Sequence, residues 1–174
     1  MSDTNYNFFR FLAPYTVMFL LFVLNTISFA APLYTTIEMP FVLMVLYYWA
    51  IYRPTLIPPF VIFICGICLD ALSGWPMGIS SFVLLLVRQT VIDQRVFLTG
   101  QPFTVVWLGF VIVSAGALFL QWTLFSILHL EFMSYLPVVL MVVAGGLVFP
   151  AVALVLNISH RVLPLLRDQY SAVK

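Results

Sequence analysis

The sequence predicts an all-α membrane protein of about six transmembrane helices in one compact bundle. Three observations lead there. Of 174 residues, 64% are apolar and only 7% are charged, where a soluble domain carries roughly 25% charge. The apolar residues gather into runs of the kind that cross about 30 Å of hydrocarbon as helices. All seven Lys and Arg lie beside alternate connections between those runs. A globule could not hide so much apolar surface, since even a chain of about 150 residues buries only some 70% of it. Length and the lack of a linker or low-complexity tract indicate a single domain over 1–174.

The first expected span is Phe11–Ala31, uncharged and ended by Pro32. Arg10, this run and the small residues Ser28 and Ala30 imitate a signal peptide, but the run is long enough to span, and either reading exports the Pro32 side. The second span, Pro40–Tyr52, is short and opens on a proline suited to a first helical turn. The third runs from Pro58 to Leu72, and the fourth occupies about 78–95 with Arg88 inside it. Span five, Phe103–Leu128, is the longest uncharged run; span six covers 135–156, with Pro150 as an expected kink. Barrel strands would alternate apolar and polar residues, whereas these runs are apolar on every side.

The basic residues orient the chain. Arg10 precedes span one, Arg53 follows span two, Arg88 and Arg95 surround the end of span four, and Arg161, Arg167 and Lys174 follow span six. The opposite connections carry only the acids Glu38, Asp70 and Glu131. The positive-inside rule then puts both termini in the cytoplasm. A net charge of +1 gives no reason to expect nucleic acid.

Few residues could carry chemistry. Cys65 and Cys68 form a C-x-x-C pattern with both sulfurs on one helix face. A redox pair needs an accessible, acidified thiolate; this pair lies inside an apolar run, so packing is the expected role. His129 and His160 fall on opposite sides and cannot share a metal. No nucleophile–base pair, phosphate loop or carboxylate dyad occurs, so neither an enzyme nor a cofactor or metal site is expected.

Asp70 stands out because it ends span three, where the helix dipole disfavours a carboxylate. It precedes the turn-rich Ser73-Gly74-Trp75-Pro76-Met77-Gly78. We expect its carboxylate to accept free N–H groups at the start of span four and so fix the two helices together. Arg88 is expected to reach the cytoplasmic interface by snorkelling, or else to face a buried carboxylate or a partner. Tyr47-Tyr48-Trp49-Ala50-Ile51-Tyr52-Arg53-Pro54 reads as an aromatic anchor at a headgroup boundary.

Two of these segments resemble the bacterial rod shape-determining MreD family. Tyr48, Trp49, Arg53 and Pro54 match the family's aromatic-Trp-x-x-x-Arg-Pro ending of the second helix. Gly66, Asp70, Gly74, Pro76 and Gly78 match its Gly-x-x-x-Asp-x-x-x-Gly-x-Pro-x-Gly signature, with Trp75 where a smaller or variable residue would be expected. Chain length, six spans and short tails agree with it. The resemblance implies a non-enzymatic inner-membrane subunit of the machinery that inserts peptidoglycan along rod-shaped cells. It also implies MreC as partner, with MreB, RodA and a class B penicillin-binding transpeptidase in the same machinery. The implied fold is similar to the S-component of energy-coupling-factor transporters, with Trp49, Arg53, Pro54, Gly66, Asp70, Gly74, Pro76, Gly78 and Arg88 as structural or partner-binding residues. A homodimer is left open: Gly74 and Gly78 alone have Gly-x-x-x-Gly spacing, and they lie in a loop.

The alternative is a small-molecule transport or solute-binding subunit, which would need several polar groups near the midplane. Ser114, Gln121 and Arg88 are all the sequence offers. A membrane thiol oxidoreductase would rest on Cys65 and Cys68 alone.

Overall fold

A computed structural model of the chain describes residues 16, 19–25, 29–30, 36–37, 39–55, 57–74, 76–129 and 134–162. The fold is helical apart from one pair of two-residue strands. Helical residues 19–25 (α1) are followed by α2 (Phe41–Tyr52), α3 (Pro59–Ser73), α4 (Ile79–Thr99), α5 (Phe103–His129) and α6 (Leu136–Val162). Helices α2 to α6 overlie the runs expected as spans two to six. Arg10, Glu38, Trp75, Glu131, Arg167 and Lys174 lie outside the described residues, as do the side chains of His129, His160 and Arg161.

One boundary needs correction. The first apolar run was expected to be helical to Ala31, but Phe29–Ala30 (β1) pairs antiparallel with Thr36–Ile37 (β2). Pro32 disfavours helical backbone in the residue before it, and Thr36 and Ile37 are β-branched, so the backbone extends there.

Helix α2 is the centre of the packing. Nine consecutive residues, Leu43 to Ile51, are buried, as expected of a helix that is apolar all round. It packs against α4, α5 and α6. Its first turn lacks a side-chain cap of its own; instead Asn25 in α1 accepts the Val42 N–H at 3.2 Å. Tyr47 fills the junction with α5 and α6, its ring 5.5 Å from Phe110 and 5.8 Å from Phe149. Its hydroxyl donates to the Val106 carbonyl at 2.9 Å. Phe110 and Phe149 stack at 4.2 Å, and Trp107 Nε1 donates to the Gly146 carbonyl at 2.8 Å.

This arrangement overturns the reading of the aromatic run as an interfacial anchor. Tyr47, Tyr48 and Trp49 are buried, and only Tyr52 is exposed. Twelve residues of α2 make a rod of about 18 Å, shorter than the helices that pack around it.

Helices α5 and α6 are long and apolar enough to cross a membrane, with mean hydropathies of 2.3 and 2.7. Only 22% and 28% of their most apolar windows are buried, so these helices turn much of their apolar surface outward, through Leu108, Ile112, Phe119, Val143, Leu147 and Leu154. Pro150 lies within α6, and the helix continues through it.

Helices α3 and α4 approach closely at Gly66. A Cβ there would sit 2.4 Å from the Ser81 Cα, a backbone contact that no rotamer change relieves. Gly66→Ala should therefore lower the thermal stability of the detergent-solubilised protein by about 1–3 kcal/mol. Gly116→Ala, where a Cβ meets nothing within 4 Å, should leave it unchanged or slightly raised, and equal melting of the two variants would refute the close approach.

Candidate functional site

The turn between α3 and α4 joins two helix ends that leave backbone groups without partners. Asp70, one turn before the end of α3, serves both ends. Its carbonyl accepts the N–H of Gly74, the left-handed residue (φ 68°) that stops α3. Its carboxylate accepts the Gly78 N–H at 2.7 Å through Oδ2 and the Ser80 N–H at 3.1 Å through Oδ1 and 3.3 Å through Oδ2. Gly78, at φ 104°, begins α4 without a side-chain cap of its own. A carboxylate in the preceding helix thus takes the place of the Ser, Thr or Asp that usually caps a helix locally.

Asp70 is fully buried, at 0% exposure. A buried charge demands partners, and here they are backbone donors together with the positive end of the α4 dipole, which favours an anion. The dipole at the end of α3 acts against it, and the N–H groups of Gly78 and Ser80 oppose that effect. This is the contact expected of Asp70 from the sequence, rather than a carboxylate left in water.

A polar layer extends from this cap. Ser80 Oγ accepts from Gln121 Nε2 at 3.1 Å, tying α4 to α5. Ser81 Oγ donates to the Phe63 carbonyl at 3.0 Å, tying α4 to α3 beside Gly66. The roles of Ser80 and Ser81 are not evident from the sequence alone, although two serines so soon after the Gly78 cap were a usable signal. Ser114 is buried and donates to Val111 in its own helix. Of the groups a solute site would draw on, Gln121 Nε2 and Ser114 Oγ thus donate to protein.

The remaining expected residues separate into two ends. Gly66, Asp70, Gly74, Pro76 and Gly78 belong to the α3–α4 turn. Arg53 and Pro54 follow α2, and Trp49 is buried within it. Arg88 joins this second group: its Nε donates to the Ile57 carbonyl at 3.3 Å and its Nη2 to the Pro54 carbonyl at 3.4 Å. It is partly buried, is paired with no carboxylate among the described residues, and holds the α2–α3 connection. Cys65 is half-buried and Cys68 exposed, both as free thiols. Among the described residues, no group of three His, Cys, Asp or Glu is placed to hold a metal.

The Asp70 carboxylate anchors the turn through the backbone N–H groups of Gly78 and Ser80. No family model, curated protein or solved structure matches the chain. Asp70→Asn replaces one acceptor oxygen with a donor that opposes these N–H groups. The expected loss is roughly 1.5–3 kcal/mol of stability, read as a lower melting temperature in detergent. Asp93→Asn, at an exposed position, should change it by no more than about 0.5 kcal/mol. Similar melting of the two variants would count against the cap.

Proposed function

We propose that this chain is a six-span protein of the bacterial inner membrane, with both termini cytoplasmic. Its role is that of a non-enzymatic scaffold of the cell-elongation machinery that binds MreC and helps position peptidoglycan synthesis. The observation that carries the reading is the α3–α4 turn. Each constrained residue of the MreD-like signature has a distinct physical task there: Gly66 for close helix approach, Asp70 for the shared cap, Gly74 and Gly78 for left-handed backbone. A turn fixed this firmly suits a rigid edge for a partner. Leu72 and Met77 flank it at 62% and 76% exposure and supply an apolar contact on that edge.

The bilayer reading is supported by two long apolar helices whose surfaces face outward. Orientation is supported by the basic residues: Arg53 ends α2 and Arg88 donates to the α2–α3 connection, while Asp70 caps the α3–α4 turn.

Two measurements test the proposal. In a protein freed of native cysteines, a cysteine at Thr55 should react with an impermeant maleimide only after the inner membrane is opened. One at Ser134 should react from the periplasmic side of intact cells, and the reverse pattern would invert the topology. In rod-shaped cells, depletion of the protein should produce round cells, and Leu72→Ser with Met77→Ser should reduce MreC recovery in a pull-down without altering the melting temperature. Unchanged cell shape on depletion would remove the scaffold role; full MreC recovery would remove this edge as its contact.

A further inference from the structure

We infer that the α2–α3 connection forms a binding site for an anionic phospholipid, its phosphate held by Arg53 and Arg88 and one acyl chain entering the bundle. Two independent features meet there. The first is an apolar crevice of about 30 Å³ whose lining includes Val42, Leu46, Ile57, Ile62, Cys65 and Leu84. That volume accommodates only about two or three water-sized groups. With almost no polar surface on its walls, it suits a few methylenes rather than a solute.

The second feature is charge. Arg88 lies one turn after Leu84, on the same helix face, and donates to the carbonyl of Ile57, whose residue lines the crevice. Its other carbonyl partner, Pro54, directly follows Arg53. None of Arg53, Arg88 and Arg95 is paired with a described carboxylate. Two carbonyls hold the Arg88 guanidinium in place without neutralising it.

Direction completes the match. From the connection, Ile62 and Cys65 lie progressively further into α3, Leu46 and Val42 further back into α2, and Leu84 further back along α4. The crevice therefore leads from the cationic turn into the bundle, as a lipid tail leads from its phosphate. A basic group near a membrane surface attracts anionic lipid by about 1 kcal/mol, and an apolar slot for the tail adds selectivity for a lipid over a free phosphate.

The inference rests on the proposed bilayer embedding but not on the scaffold role. The test uses the purified full-length protein with phosphatidylglycerol and phosphatidylcholine of identical chains, read by vesicle flotation and by native mass spectrometry of retained lipid. The protein should float with both vesicles and retain phosphatidylglycerol in preference. Arg53→Gln should reduce that preference roughly fivefold. Leu84→Phe, which fills the crevice, should reduce retention of phosphatidylglycerol while the melting temperature is preserved. Arg95→Gln should change neither readout. A protein that floats with neither vesicle overturns the embedding itself. Equal retention of the two lipids by the unmodified protein, or retention unaffected by both Arg53→Gln and Leu84→Phe, overturns this site alone. So does competition by glycerol phosphate as effective as that by the lipid.

Discussion

A buried carboxylate surrounded by apolar helices is tolerable only if something of opposite polarity meets it, and at Asp70 that something is the backbone. The same residue ends one helix and starts the next: its carbonyl takes Gly74 and its side chain takes Gly78 and Ser80. The register of α3 against α4 follows from this. With Asp70 opposite the first turn of α4, Gly66 comes opposite Ser81, and the absent side chain allows the backbones to approach. Ser80 is then positioned to accept from Gln121, so the cap also sets the height of α5. Displacing α3 by one residue would lose the carboxylate contacts and drive a side chain into the α4 backbone together.

The helices differ in length for related reasons. Helices α2 and α3, with 12 and 15 residues, span about 18 and 22 Å, whereas α5 and α6, with 27 residues each, span about 40 Å. A short apolar helix is stable here because long neighbours cover it, and α2 is the clearest case. The long helices have the converse problem, since they enclose α2 on one side and leave their other sides apolar and uncovered. On the proposed membrane reading, lipid is the cover for those sides, and only the central helix needs a protein shell.

Helix positions were legible in the sequence because apolar runs bounded by proline, glycine or arginine mark where helices begin and end. The Asp70 cap was legible as well: a carboxylate at the wrong end of a dipole, followed by two glycines four residues apart, has nearby N–H groups as its natural partners. The aromatic run of α2 was misread because composition cannot tell a residue facing a headgroup from one facing another helix. Tyr47 is buried by the placement of Phe110 and Phe149, which are distant in sequence. The β1–β2 pairing was hidden for a similar reason, as the apolar run continues past the point where the backbone leaves the helix. Arg88 was expected at the cytoplasmic interface, or else facing a buried carboxylate or a partner; the carbonyls of a loop, which its guanidinium meets, are a third possibility.

That third possibility links the two ends of the molecule. At the α3–α4 turn an anion is stabilised by N–H groups that a helix start leaves unpaired; at the α2–α3 turn a cation is stabilised by carbonyls that a helix end and a loop leave unpaired. Neither charge uses an ion pair, so each ties its own turn without depending on a distant side chain. The two differ in what remains. Asp70 is fully buried and has its oxygens engaged, which makes it structural. Arg88 is only partly buried and keeps its net charge beside Arg53, so the field at that turn extends outward. On the proposed reading, the rigid turn at one end is the one that meets protein, and the positive turn at the other is the one that meets the anionic face of a membrane.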